Sequence, residues 1–282
     1  MITFEQVTFR YASGNTNALD NITLTIPEGD FVGIIGAGGA GKSTFLHAVN
    51  GVIPHHFPGD FYGAVRVSGM DTADTPLEKL SMLTGTVFQN VDSQFVTSTV
   101  EDEILFGLEN FGVPRGQIES RLLWALEKTG ITPLRDRMLS SLSGGQKQKA
   151  AVASILALQP KILLLDEPTG ELDPASSEKL FGLLRELNSQ GVTIVVVEQK
   201  IMLLCAYCRT LGVMSEGKML RMGPVREVLR EADLLEEVGV HVPRIVSLAK
   251  ELEKRNLYAG PPPVCPAEAE EMVKTVLGGD PV

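Results

Sequence analysis

FVGIIGAGGAGKSTFLHAVN, residues 31 to 50, decides the frame of this chain. FVGII is an unbroken apolar run of strand length, and a strand without polar alternation is one covered on both faces. FLHAVN reads as the start of a helix. Between them GAGGAGKST, residues 36 to 44, fits G-x-x-x-x-G-K-[ST] in the strand-to-helix setting that this pattern requires. Gly36, Gly38, Gly39 and Gly41 let the backbone curl until its N–H groups and the helix N-terminus face one point, a geometry suited to phosphates. Lys42 adds a cation for the β and γ phosphates, Ser43 offers a hydroxyl to Mg²⁺, and Thr44 stands with them in the phosphate-binding loop. A plain Gly-rich turn is the competing account; the flanking strand and helix argue against it.

Outward from this loop the same texture recurs. KILLL (161 to 165) and VTIVVV (192 to 197) are further continuous apolar runs, each leading toward a helical pattern, as in a parallel sheet covered by helices. Near the N-terminus Ile2, Phe4, Val7 and Phe9, then Ile22, Leu24 and Ile26, alternate before the turn Pro27-Glu28-Gly29-Asp30, which predicts half-buried antiparallel strands. VEDEILFGLEN and RGQIESRLLWALEKTG predict helices, the second stopped by Gly130. LGVMSEGKMLRMG predicts a hairpin turning at Glu216-Gly217. After Gly223-Pro224 the segments REVLREADLLEEVG and PRIVSLAKELEKRN predict two amphipathic helices, and GPPPVCP (260 to 266) separates them from a last helix, AEAEEMVKTVL. The expectation is an α/β fold: residues 1–223 form the main domain, with an N-terminal antiparallel β layer and a helical subdomain at about 91–158, and residues 224–282 form a small helical extension.

Charge narrows the partners. The 282 residues carry 25 Lys plus Arg against 35 Asp plus Glu, a net charge of −10, so no basic face advertises nucleic acid or anionic lipid. Met1 leads straight into ITFEQVTF without a secretory leader, and three cysteines make an odd set, which together favour a reducing, cytoplasmic setting. No apolar run approaches the roughly 18 residues of a membrane span, so a membrane role has to come through a partner.

Two more motifs carry chemistry. KILLLDE (161 to 167) ends a buried strand in two carboxylates at the sheet edge where α/β folds bind ligands. Asp166 is placed to hold Mg²⁺ through water, and Glu167 to polarise an attacking water. Acidic residues after a strand also merely begin loops or cap helices; the phosphate loop tips the balance. LSGGQ (142 to 146) precedes the helical KQKAAVASILAL. Ser143 and Gln146 fit a capping box. Capping alone does not account for Gly144 and Gly145, which leave N–H groups bare at a helix N-terminus with no evident anion on the same chain.

Taken in order, GAGGAGKST, Gln89 in TVFQN, LSGGQ, KILLLDEP and GELD resemble the P-loop, Q-loop, signature, Walker B and D-loop of an ABC-type ATPase, from Met1 to about Gly223. The resemblance implies a P-loop ABC ATPase core with a helical signature subdomain, using ATP and Mg²⁺. It implies a head-to-tail dimer in which the partner's γ-phosphate meets Ser143, Gly144 and Gly145. It also implies that Tyr11 stacks on adenine, that Gln89 senses Mg²⁺ and the attacking water, and that Asp173 is the D-loop aspartate. Ordinary strand packing is the alternative for Tyr11.

FQNVDSQFVTSTVEDEILFGLEN and LLEEVGVHVPRIVSLAKEL further resemble the ATPase subunits of energy-coupling factor transporters, importers of vitamins and transition-metal ions. That likeness implies a second ATPase subunit, a transmembrane scaffold, a substrate-binding membrane subunit and a place on the cytoplasmic face of the membrane. It makes Asp92, Glu101 and Asp102 candidates for receiving scaffold arginines, although acidic residues also suit a first helical turn. A cassette acting on DNA or ribosomes is disfavoured by the acidic balance and the lack of heptad arms, and a fused exporter by the lack of spans.

Other features point to packing. Cys205-x-x-Cys208 sits in apolar IMLLCAYC without a second pair, His55 and His56 lie between prolines without a third ligand, His47 has no evident partner, and Met202, Met214, Met219 and Met222 suit a core. One departure stands out. In VVVEQK (195 to 200) the position matching the family's switch histidine is Gln199. Gln presents an N–H donor four bonds from Cα, as His does, but cannot carry a proton. The expectation is slowed hydrolysis at this chain's own site with a signature that serves a partner normally; a cassette that binds ATP structurally and hydrolyses it poorly is the second reading.

Overall fold

The computed structural model describes residues 1–278. The strands are β1 (Ile2–Tyr11), β2 (Leu19–Ile26), β3 (Phe31–Ile35), β4 (Gly59–Val67), β5 (Met70–Asp71), β6 (Thr84–Val87), β7 (Ile162–Asp166), β8 (Thr193–Val197), β9 (Thr210–Ser215) and β10 (Lys218–Pro224). The helices are α1 (Lys42–Val49), α2 (Val52–His55), α3 (Leu77–Ser81), α4 (Val100–Asn110), α5 (Arg115–Thr129), α6 (Gly144–Ala157), α7 (Pro174–Ser189), α8 (Ile201–Tyr207), α9 (Val225–Arg230), α10 (Ala232–Glu237), α11 (Arg244–Lys254) and α12 (Pro266–Leu277).

The six-stranded sheet runs β10-β9-β3-β8-β7-β6, parallel from β9 to β6, and is flanked by a four-stranded antiparallel sheet, β2-β1-β4-β5. Every residue of β3, β7 and β8 is buried, and the reason is visible in which way each points. Phe31, Leu163, Leu165, Ile194 and Val196 face the cluster that holds Phe181 and Leu184 of α7. Val32, Ile34, Leu164, Val195 and Val197 face the cluster that holds Phe45 and Leu46 of α1 and the inner side of the antiparallel layer. Phe4 stacks on Phe45 at 4.4 Å between ring centroids, tying that layer to α1 and worth roughly 0.5–1.5 kcal/mol beyond the area it buries. Burial on both faces removes the polar alternation.

Val100, Ile104 and Leu108, spaced by four on α4, meet Leu122 and Leu126 of α5 and the small face of α6 in a separate helical core. Gly130 ends α5 at φ 69°. The β9–β10 hairpin turns at Glu216 and Gly217, with φ 49° and 79°, as two-residue hairpins demand. Gly217 N–H donates to Ala40 O at 3.1 Å, so the turn braces the loop before α1.

Three differences from the sequence reading have physical causes. Strands β4 to β6 carry no clear sequence signal, because β4 is only partly buried and interrupted by Gly63 at φ 82°, β5 has two residues and β6 four. The segment predicted as one helix after Pro224 is two, α9 and α10, broken at Glu231. The C-terminal helices also join the main core through Val228, Leu229, Leu235 and Val246, and Arg226 holds Glu268 of α12 with two hydrogen bonds of 2.7 and 3.0 Å. Among the described residues no helix is long and apolar enough to cross a membrane.

Candidate nucleotide site

The loop Gly36–Gly41 leaves β3 and enters α1 at Lys42. A Cβ on Gly36 would lie 2.2 Å from Met214 O, and one on Gly41 (φ 97°) 2.3 Å from Ala18 O, so both glycines are dictated by backbone approaching backbone. Gly39 needs its φ of 79°, whereas Gly38 faces open space. Lys42, only 7% exposed, donates from Nζ to Gly36 O and Ala37 O at 2.9 Å each, which holds the ammonium within the curl. Tyr11, at the end of β1, shares a 3.0 Å hydroxyl–hydroxyl hydrogen bond with Thr44 and meets Phe9 edge-on. Tyr11 is therefore tied to the loop's helical end.

Asp166 ends β7 close to Ser43. Burial raises its pKa; Ser43 opposes the rise, Glu167 adds to it and Lys42 opposes it. A hydroxyl and a carboxylate side by side are the hard oxygen donors Mg²⁺ prefers. Among the described residues no group of three or more His, Cys, Asp or Glu could hold a metal alone, so an ion here would complete its shell with nucleotide phosphates and water.

Glu167 follows at φ 48°, a left-handed conformation that costs a residue with a side chain roughly 1–2 kcal/mol. Both of its oxygens are engaged: Gln199 Nε2 donates to Oε1 at 2.8 Å and Gln89 Nε2 to Oε2 at 3.0 Å. Two neutral amides from different strand ends thus grip one carboxylate. Gln89 lies just past β6 and Gln199 just past β8, the neighbours on either side of β7.

Ser143 caps α6 with both arms of the capping box: its hydroxyl accepts from Gln146 N–H at 3.4 Å, and Gln146 Oε1 accepts from Ser143 N–H at 3.0 Å. A Cβ on Gly144 would lie 2.7 Å from Glu171 Oε2, and one on Gly145 3.0 Å from Glu171 O. Glu171 thus lies beside this helix start: its flexible carboxylate could swing away from a Cβ at Gly144, whereas its carbonyl oxygen would crowd one at Gly145. Asp173 caps α7, accepting from Ser176 N–H at 2.9 Å, and hydrogen bonds from Ser176 lower its pKa.

A family model described as ABC transporter matches residues 19–170. The chain belongs to the ABC transporter family, as an ATP-hydrolysing cassette. The cassette is 40% identical over 91% of its length to a Pyrococcus horikoshii protein named generically as an ABC transporter ATP-binding protein, and 39% identical over 91% to one from Pyrococcus abyssi, covering 91% and 92% of those chains. It superposes on CbiO1 of Clostridium perfringens, described as part of the ABC transporter complex CbiONQ, with a TM-score of 0.72 at 32% identity, over 88% of this chain and 98% of that one. A dimeric ATP-binding cassette in a post-hydrolysis state with ADP and Pi gives a TM-score of 0.72 at 29% identity, over 80% and 99%.

The acidic groups around the Q-loop of the cassette all have partners within the chain. Asp92 pairs with Lys147 at 2.7 Å, Glu101 pairs with Arg135, which lowers its pKa, and Asp102 joins Thr99 in capping α4. Sequence reading passed over Glu103, which is 7% exposed and accepts from Val96 N–H, Thr97 N–H and the Thr97 hydroxyl at 2.9–3.0 Å. Glu198 and Lys200 are visible in VVVEQK as polar residues on either side of Gln199, but the sequence assigns them no role. Alternation could have flagged Glu198, the first polar residue after five buried ones.

Cys205 and Cys208 are buried, and burial pushes the Cys205 thiol up to about 12 and Cys208 well above its usual range. His55 Nε2 contacts Thr72 O at 2.9 Å, while burial lowers the pKa of His47. Met214 is fully buried, and Met219 and Met222 pack beside it.

Proposed function

We propose that this cassette powers solute import through a membrane transporter, as one of two ATPase subunits that close on ATP. The observation that carries the chemistry is the carboxylate of Glu167 gripped by Gln89 and Gln199 at the strand ends beside the P-loop. Phosphoryl transfer asks a protein chiefly for positioning and electrostatics. Gly36, Gly38, Gly39 and Gly41 present backbone N–H groups to the phosphates, Lys42 supplies a point charge, Thr44 belongs to the same phosphate loop, Tyr11 stacks on adenine, and Glu167 orients the attacking water. Ser43 and Asp166, with Gln89 nearby, would hold Mg²⁺, which when bound neutralises charge on the β and γ phosphates.

Ser143, Gly144, Gly145, Gln146 and Asp173 face the nucleotide of a second cassette in this reading. Similarity to CbiO1 over 88% of the chain supports import, with a vitamin or a transition-metal ion as solute, through a transmembrane scaffold and a substrate-binding membrane subunit at the cytoplasmic face. Asp92, with 63% of its side chain exposed, remains the acid best placed to meet a scaffold arginine, and Asp92→Lys is expected to reduce co-purification with membrane partners. The donor that Gln199 keeps on Glu167 supports a hydrolysing subunit over one that only binds ATP.

Glu167→Gln is the test. ATP binding should persist, while turnover falls at least about 100-fold. A Glu167→Gln protein as fast as the parent would refute the assignment.

A further inference from the structure

The end of β8 is joined to the loop after Glu167 by two oppositely charged side chains, Glu198 and Lys200. Glu198 is 3% exposed and has no cation within salt-bridge distance among the described residues. Its charge is met by donors instead: the Thr169 hydroxyl at 2.5 Å, Gln199 N–H at 2.8 Å and Lys200 N–H at 3.3 Å. Lys200 does the reverse. Its Nζ donates to Thr169 O at 2.8 Å, Ser177 Oγ at 3.2 Å and Leu172 O at 3.3 Å, so all three ammonium donors are used on acceptors of the loop and the first turn of α7. Thr169 is clasped from both sides, by Glu198 at its hydroxyl and by Lys200 at its carbonyl, and it is fully buried.

We propose that Lys200, backed by Glu198, is a positioning residue for hydrolysis. It fixes the loop of residues 167–173 so that Glu167 stays in register with Gln199. The inference rests on the role given to Glu167 above. Glu167 sits at φ 48°, and such a conformation persists only where its surroundings over-determine it. Glu167 N–H is tied to Val197 O at 2.9 Å, but its carbonyl takes a 3.2 Å bond from Gly170 N–H and Thr169 O one from Leu172 N–H at 3.1 Å, so beyond Glu167 the loop's own turns are modest restraints. The clasp adds its restraint there, at Thr169 and Leu172. It also fixes Gln199, whose N–H is bound to the same Glu198 carboxylate that holds Thr169. The two residues that must meet across 2.8 Å are thereby built on one rigid unit. Because the same loop carries Glu171 and Asp173, the unit extends to the face that bears the signature glycines.

Among the described residues the Glu198 and Lys200 side chains make no hydrogen bond to residues 36–44, which separates the clasp from ATP binding. Lys200→Met keeps the stem and removes the three donors. Its kcat is expected to fall roughly 10- to 100-fold, the scale of a displacement near 1 Å in a reacting geometry, with KM for ATP within about twofold of the parent. Lys200→Arg should recover part of the rate, since it keeps the charge but spreads its donors in a plane. Thr169→Val, which removes the hydroxyl from Glu198, should also lower kcat and provides a second route if Lys200→Met folds poorly. The decisive comparison is single-turnover ATP hydrolysis of Glu167→Gln against Glu167→Gln/Lys200→Met. A residue that acts through Glu167 adds no further loss once Glu167 is gone. An unchanged kcat in both Lys200→Met and Thr169→Val, a rise in KM without loss of kcat, or a fully additive loss in the double variant would each overturn the proposal. If Glu167→Gln itself turned over like the parent, the Glu167 assignment would fail instead.

Discussion

Replacing Gln199 by Ala isolates what this side chain adds. The change removes one of two amide donors on Glu167, the 2.8 Å bond to Oε1, and leaves Gln89 on Oε2 at 3.0 Å. A hydrogen bond to a charged group contributes ~1.5–3 kcal/mol net, but Gln199 is exposed and water can partly replace it, so the lower end applies. About 1.4 kcal/mol of lost positioning is a tenfold fall in kcat. KM for ATP should not move, because no P-loop residue is touched. Gln199→His restores a donor at the same bond count from Cα, and it is expected to match or exceed the parent, since imidazole brings one rotor fewer to order. Gln199→Glu sets a carboxylate against Glu167 and should lose more than the Ala variant through like-charge repulsion. In the double variant Gln89→Ala/Gln199→Ala both oxygens are released, and the loss should exceed the product of the two single losses. The assay is steady-state ATP turnover of the purified cassette with its partner, titrated with ATP from below to above KM. A Gln199→Ala enzyme with the parent's kcat would show that the grip on Glu167 is irrelevant to turnover.

Three further outcomes follow from the site. Burial raises the pKa of Asp166, so the folded protein holds that proton to higher pH than the unfolded chain does, and the group's effect on stability becomes more unfavourable as pH rises from the unfolded pKa through the folded one. Asp166→Asn should therefore raise the melting temperature of the nucleotide-free protein at neutral pH while abolishing Mg²⁺-dependent turnover; a lower melting temperature would contradict the burial argument. Gly41→Ala forces a Cβ to within 2.3 Å of Ala18 O at φ 97°, and should cost ATP binding or folding, read by nucleotide titration and thermal melting. Iodoacetamide at mildly alkaline pH should label the partly exposed Cys265 and spare Cys205 and Cys208 until the protein is denatured, as read by intact-mass spectrometry.

Much of the site was legible in the chain because its parts are local. A glycine loop between an apolar strand and a helix, two carboxylates at a strand end, and a Ser-Gly-Gly-Gln helix start each carry their meaning within about ten residues, since turn conformation, capping and strand burial are set by near neighbours. Gly36 and Gly41 are glycines for reasons the motif only implies: Met214 and Ala18, distant in sequence, bring backbone oxygens against them. Short or irregularly buried strands such as β6 and β4 leave little trace, because pairing and not side-chain pattern creates them.

By itself the sequence determined the α/β class, the phosphate loop and the order of the motifs, all of which depend on residue types at short spacing. Only the tertiary structure decided what the polar ends of the strands do to one another. Gln89, Glu167 and Gln199 converge because β6, β7 and β8 are adjacent in the sheet, although 78 and 32 residues separate the partners. Glu198 and Lys200 acquire opposite tasks on the same loop for a similar reason: once β8 ends beside β7, a buried carboxylate must find donors and an ammonium must find acceptors, and residues 169–177 supply both.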